Sequence, residues 1–176
     1  MDKIDFTKSE LGVLFVCLGN ICRSPVARAV FHDKVKAANV AAAFRVDSCG
    51  TGGWHAGEAA HVETIKVSQT FGVSLVNHRA RQLREDDLEN FDLVVAMDRS
   101  NFRDIRRIAS QSSAELILLR DFDPNPDSKD VPDPWGCERD EFVRVHQIID
   151  RSCENLLQWL LAQRQCSTGA TKLKQP

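Results

Sequence analysis

Tyrosine does not occur in this chain of 176 residues, methionine occurs twice and tryptophan three times. The first absence leaves no tyrosine that a kinase could phosphorylate. An excess of one charge is lacking as well: 23 basic residues face 25 acidic ones, a formal charge of -2. No long-range field therefore draws the chain toward DNA, RNA or an anionic membrane. The N-terminus is polar and acidic, without a cationic flank or long apolar stretch, and the apolar run ending at Cys17 is much too short to cross a bilayer. Neither nucleic acid nor membrane is expected as a partner, and cytoplasmic residence is the expected default.

Regular cysteine spacing is also missing. The six cysteines could form three disulfides, but their intervals are irregular, and a chain of this length can bury enough core to do without them. There is no Cys-x-x-Cys or His-x-x-His pair, so Cys17, Cys22, Cys49 and His55 do not make a convincing zinc set. No metal and no cofactor is expected. Cys153 sits on an apolar helical stripe and reads as a small buried residue.

What is present is the segment Val16-Cys17-Leu18-Gly19-Asn20-Ile21-Cys22-Arg23-Ser24-Pro25. The run Leu11 to Val16 before it reads as a buried strand. Ser24-Pro25 and the apolar residues after it read as a helix with a serine cap and proline in its first turn. The residues between form a strand-to-helix loop, whose backbone N–H groups, aided by the positive end of the helix, can surround an anion. Arg23 offers a bidentate clamp for phosphate oxygens, and a Cys17 thiolate would be stabilised by the same positive field. Gly19 allows close backbone approach, and Asn20 tolerates a left-handed turn while its side chain braces the loop. Cys22 and Arg28 repeat the six-residue spacing, but they run through Pro25 into the helix and contain no glycine.

Strands are expected at 11–16, 43–48, 91–96 and 115–119, and helices at 25–38, 57–71, 99–109 and 138–163. Such alternation predicts an α/β domain with a parallel sheet. Ligands of these folds gather beyond the carboxyl ends of the strands, where Cys17, Ser48 and Asp98 fall. One domain covering 1–166 is expected, followed by a flexible polar tail at 167–176. Attack by a thiolate on a phosphate ester with a poor leaving oxygen also calls for an acid to protonate that oxygen. Composition leaves Asp121, Asp123, Asp127, Asp130 and Asp133 open for that role.

The phosphate-loop segment resembles the active-site loop of the low-molecular-weight protein tyrosine phosphatases. The resemblance continues through Ser48-Cys49-Gly50-Thr51-Gly52-Gly53-Trp54-His55, Asn77 to Leu83, Phe91 to Asp98 and Val131-Pro132-Asp133-Pro134-Trp135. It implies a doubly wound four-stranded parallel sheet with helices on both faces, flavodoxin-like, and hydrolysis of phosphotyrosine and small aryl phosphates through a phosphocysteine. It implies Cys17 as nucleophile, Arg23 as phosphate clamp and Asp133 as general acid. The phosphate loop itself spans Leu18, Gly19, Asn20, Ile21 and Cys22. Ser24 resembles the hydroxyl that bonds the sulfur, although the residues alone make it a helix cap. Asn20, Ser48 and His78 resemble the network that holds the loop, with Asp98 near it, where it also reads as the cap of a helix starting near Arg99. Ile21, Trp54 and Trp135 match positions that contact an aromatic substrate. In the family the counterparts of Cys17 and Cys22 form a protective disulfide, which is expected here too.

The chain departs from the family pattern in places. Trp135 stands where a tyrosine is usual, Gly136 replaces a frequent second aromatic, and Glu58-Ala59-Ala60-His61 lacks the proline and aspartate that follow the glutamate in many relatives. His55 and His61 read as ordinary loop and first-turn residues. Arsenate reductases of similar fold use two further cysteines in a mobile segment, and residues 77–98 contain none. Relatives acting on phosphoarginine carry a smaller polar residue where Ile21 stands. A non-catalytic phosphate-binding or protein-docking module would be expected to have lost Cys17, Arg23 or Asp133.

Overall fold

A computed structural model describes residues 4–109 and 112–172. The first strand shows why the chain folds as it does. In β1 (Leu11–Cys17) every residue is buried, and the strand's two-residue period divides them between two layers. Leu11, Val13, Phe15 and Cys17 enter one core with Val26, Val30 and Phe31 of α1 (Arg23–Ala37) and Ile149, Leu156 and Leu160 of α5 (Arg139–Lys172). Leu14 and Val16 enter a second core with Leu88 and Ile105, which belong to α3 (Glu85–Asn90) and α4 (Arg99–Ile108). A strand buried on both faces reads as a continuous apolar run, and each large side chain so placed contributes about 1.5–3 kcal/mol.

The other strands are β2 (Phe44–Gly50), β3 (Leu93–Ala96) and β4 (Glu115–Leu118), and α2 (Val62–Thr70) follows β2. All strand pairs are parallel, in the order β2-β1-β3-β4. This is the doubly wound, flavodoxin-like sheet. The chain leaves β1 toward one side for β2 and returns on the other for β3, so the sheet reverses direction at the end of β1. Cys17 stands at that crevice, paired in register with Gly50.

The expected boundaries needed several corrections. β2 extends to Gly50, so Cys49 lies inside the strand and is fully buried. The helix expected from residue 57 starts at Val62, because the preceding backbone has other partners. Gly57 N donates to Ala80 O at 2.8 Å, Ala80 N to Glu58 O at 2.8 Å, and His61 N to Ile21 O at 2.8 Å. The short α3 was not expected. It is closed by Asp87, whose Oδ2 accepts from Arg84 N at 2.8 Å. α5 runs on to Lys172, so its backbone is helical through most of the stretch expected as a tail, while 173–176 lie outside the described residues. Among the described residues no helix is long and apolar enough to cross a membrane.

Candidate active site

Ser24 lies seven positions after Cys17, and the loop between them folds the hydroxyl and the sulfur onto one point. Cys17 Sγ lies 3.0 Å from Ser24 Oγ and accepts from Asn20 N at 3.2 Å. Asn20 is fully buried in the left-handed region at φ 56°. Its Nδ2 donates to Ser24 Oγ at 2.9 Å and to Ser48 Oγ at 3.0 Å, and its Oδ1 accepts from Arg81 N at 3.0 Å. His78 Nε2 meets the Asn20 carbonyl at 2.7 Å. Since a carbonyl can only accept, Nε2 carries the proton. Burial holds the His78 pKa below its ordinary 6.5, against the opposing pull of that hydrogen bond.

Ser24 therefore has a different local role from the helix cap suggested by its sequence. The helix starts one residue earlier, at Arg23, with Cys22 before it and no side-chain cap. The Ser24 hydroxyl is committed elsewhere, reaching Cys49 O at 3.2 Å as well as the sulfur. One hydroxyl proton can serve either acceptor. With a protonated thiol it satisfies Cys49 O, and with a thiolate it can turn to the sulfur.

Arg23 is 3% exposed. Its Nη1 donates to Asp98 Oδ2 at 2.6 Å and to Val131 O at 3.3 Å, and its Nη2 to Asp133 Oδ2 at 2.6 Å. Its Nε is buried without a protein partner among the described residues. Burial opposes the guanidinium charge, yet Cys17, Asp133 and Asp98 outweigh it and raise the pKa. The resemblance puts Asp98 beside the Asn20, Ser48 and His78 network. The structure instead sets its carboxylate directly on Arg23, while its Oδ1 caps α4 by accepting from Asn101 N at 2.6 Å. One short residue thus fixes both a helix start and a guanidinium.

A cleft above this loop is lined by Cys17, Leu18, Gly19, Ile21, Cys22, Arg23, Trp54, His55, Asp133 and Trp135. Trp54 and Trp135 are 65% and 64% exposed. Large apolar side chains that far from the core form walls for something else. A family model described as low molecular weight phosphotyrosine protein phosphatase matches residues 12–166. The chain belongs to this family. It is 44% identical over 146 residues to the low molecular weight phosphotyrosine protein phosphatase of Schizosaccharomyces pombe, covering 81% of this chain and 93% of that protein. The crystal structure of YfkJ from Bacillus subtilis superposes with a TM-score of 0.83 at 38% identity, covering 89% of this chain and 98% of the other. A protein tyrosine phosphatase from Entamoeba histolytica, crystallised with Hepes in its active site, gives a TM-score of 0.84 at 31% identity, with 88% and 99% covered. The chain is thus a cysteine-based protein tyrosine phosphatase.

The phosphatase sorts its five loop aspartates by partner. Asp121 is bound by Lys129 and Asp123 by Arg120 and Arg151. Asp127 is bound by Arg120 and Arg144, and Asp130 by Arg99. These four acids are all ion-paired to cations outside the phosphate loop. Of the five only Asp133 lines the cleft with Cys17. Its Oδ1 accepts from Trp135 N at 3.3 Å, which orients the carboxyl. Gly136 after it has φ 77°, a left-handed turn that the frequent aromatic of other relatives would take only with strain.

Several residues of the phosphatase site were not selected from the sequence. His55, left aside there, forms part of the cleft wall, with its Nδ1 2.8 Å from Glu58 Oε2. His61 instead sits at the start of α2, where its Nδ1 accepts from Glu63 N at 3.3 Å, and stacks on Phe142. Gly50 is required because a Cβ there would stand 2.6 Å from Leu18 O. The glycine-rich run after Ser48 was the available signal for it. Cys22 lines the same cleft, and burial pushes its thiol up to about 12. All six cysteines are free thiols. Among the described residues no three His, Cys, Asp or Glu side chains gather as a metal ion would require.

Proposed function

We propose that this phosphatase hydrolyses phosphotyrosyl peptides and small aryl phosphates in two steps, without a metal, through a phosphocysteine on Cys17. The observation that carries the reading is the meeting of Cys17, Arg23 and Asp133 in one cleft walled by Trp54 and Trp135. The phosphoryl group would sit on the loop N–H groups, with Arg23 supplying its unpartnered Nε and the Nη2 now held by Asp133. Taking up Nη2 releases the Asp133 carboxyl next to the leaving oxygen. Asp98 retains Nη1, so the guanidinium keeps its orientation during the exchange.

Cys17 then attacks phosphorus in line, the P–O bond to the aryl group breaks, and Asp133 delivers the proton to the departing oxygen. In the second step Asp133, as carboxylate, takes a proton from water, the water oxygen attacks phosphorus, and the P–S bond breaks to return the thiolate and inorganic phosphate. Ser24 and Asn20 N stabilise that thiolate, and Ser48 and His78 hold Asn20 in place. Ile21 and the two tryptophans supply apolar contact for a phenyl ring. A nucleophilic thiol has to stay reduced to act, which fits a reducing compartment such as the cytoplasm. Oxidised Cys17 has Cys22 as a neighbour able to condense with its sulfenic acid to a disulfide, releasing water.

The test is phosphate release from phosphotyrosine, phosphoserine, phosphoarginine and phenyl phosphate, side by side in the presence of a chelator. Phosphotyrosine and phenyl phosphate should turn over, and Cys17→Ser should lower kcat at least ~10³-fold. Full activity of Cys17→Ser, or loss of activity on chelation, would overturn the mechanism. Preference for phosphoarginine would overturn only the substrate.

A further inference from the structure

The stretch from Leu119 to Asp133 has no regular structure beyond the 3₁₀ turn Leu119–Phe122, yet it must deliver one carboxyl to a fixed point. Its inner side is organised by Arg120, the bulkiest of the fully buried side chains among the described residues. Arg120 Nε donates to Asp123 Oδ2 at 3.1 Å, Nη2 to Asp127 Oδ1 at 2.6 Å, and Nη1 to the carbonyl of Asp130 at 3.1 Å. Three points of the loop thus close on one planar group. From α5, Arg151 reaches Asp123 at 2.8 Å and Arg144 reaches Asp127 at 3.0 Å. The buried Arg120 and Asp123 are therefore tied to the helical layer, and neither charge is left unpaired.

Beyond the Asp130 carbonyl the path to the acid is short and stiff. Val131 N donates to Met97 O at 2.8 Å and Val131 O accepts from Arg23. Pro132 follows with its fixed φ, and then Asp133. On the outer side Arg99 holds the Asp130 carboxylate through Nε at 3.1 Å and Nη2 at 2.7 Å.

We propose that Arg120 is the positioning residue of the acid loop: by gripping Asp123, Asp127 and the Asp130 carbonyl together, it sets where the Asp133 carboxyl meets the leaving oxygen. The inference rests on the reading of Asp133 as general acid. Arg120 touches neither substrate nor sulfur, so its effect must run through Asp133. A lysine keeps the charge but lacks the planar fork that serves three acceptors at once.

The experiment compares kcat/KM for aryl phosphates graded from phenol to 4-nitrophenol as leaving group, in the wild-type protein, Arg120→Lys, Asp133→Ala and the double variant. Arg120→Lys should lose about tenfold more on phenyl phosphate than on 4-nitrophenyl phosphate, since only the poor leaving group needs the acid. In the Asp133→Ala background it should add no further leaving-group dependence. A uniform loss, no loss, or an added dependence without Asp133 overturns the role of Arg120. If Asp133→Ala itself slows every substrate equally, the acid reading fails first. If Asp133→Ala is selective and Arg120→Lys is not, only the present inference fails. Should Arg120→Lys not fold, Asp127→Asn alters an exposed carboxylate of the same grip. It should show the same selectivity at about threefold, and a flat response there is equally decisive against the proposal.

Discussion

The loop from Cys17 to Ser24 is held by neutral hydrogen bonds between buried groups, those of Asn20, Ser24, Ser48 and His78. The stretch from Leu119 to Asp133 is held by ion pairs, those of Arg120, Arg144, Arg151 and Arg99 with Asp123, Asp127 and Asp130. The two regions meet on Arg23. A loop that must stabilise a sulfur anion gains from dipoles, which add field to that of Arg23 without a further full charge beside the reacting one. A longer irregular loop has no ladder of backbone hydrogen bonds to fix it, and many of its anchors lie near the surface. Charged forks that take several acceptors suit that task, although each exposed pair alone is worth little.

The largest expected effect tests the point where the regions meet. Arg23→Ala should lower kcat/KM about 10²–10³-fold on every aryl phosphate, because it removes a donor to the transferring group whatever leaves. It should also free Asp98 and Asp133 from their common partner. Arg23→Lys should recover little, since a point charge cannot reach both carboxylates and a phosphate. A loss confined to poor leaving groups would instead make Arg23 an accessory of the acid loop.

A smaller effect isolates the neutral network. Asn20→Gly keeps the left-handed turn but deletes the side chain that joins Ser24, Ser48 and Arg81 N, and should cost about 1–3 kcal/mol in denaturant unfolding. Asn20→Ala should be worse by about 1 kcal/mol, because φ 56° is then strained as well. Equal stability of the two variants would show that side-chain bonding, and not backbone conformation, is the whole contribution of Asn20.

The smallest effect separates the regions by pH. Burial lowers the pKa of His78 and of His146 from the ordinary 6.5. Between that value and the lower folded one the unfolded chain binds more protons, so their stabilisation is complete above 6.5 and is lost as pH falls below it. For Asp123 burial raises the pKa but Arg151 and other donors outweigh it, and Asp130 is lowered first by Arg99. Both end below the ordinary 3.8, so their share persists until pH falls through that lower range. Melting curves from about pH 7.5 down to about pH 3 should therefore show two declines. His78→Asn should reduce the upper one and Asp130→Asn the lower. A single decline near pH 4 would mean that the buried histidines contribute nothing.

The phosphate loop was readable because its parts are contiguous. A strand ending at Cys17, five loop residues and a helix starting at Arg23 place Cys17, Asn20, Arg23 and Ser24 together by local geometry alone. The alternation of strands and helices likewise gave the parallel sheet, while its doubly wound order came from the family resemblance. The acid was not readable in the same way, since five aspartates of similar setting lie within Asp121 to Asp133 and composition cannot rank them. Resemblance chose Asp133 in the sequence, whereas in space the other four are bound to other cations. The double duty of Asp98, the wall position of His55 and the grip of Arg120 were equally hidden. The first two depend on segments far apart in the chain meeting at the crevice where the parallel sheet reverses, and the third on the path of an irregular loop. Sequence alone fixed which chemistry the chain could do, because the phosphate-holding groups are local. Only the tertiary structure selected the carboxyl and its supports, because ion pairs across an irregular loop have no period to read.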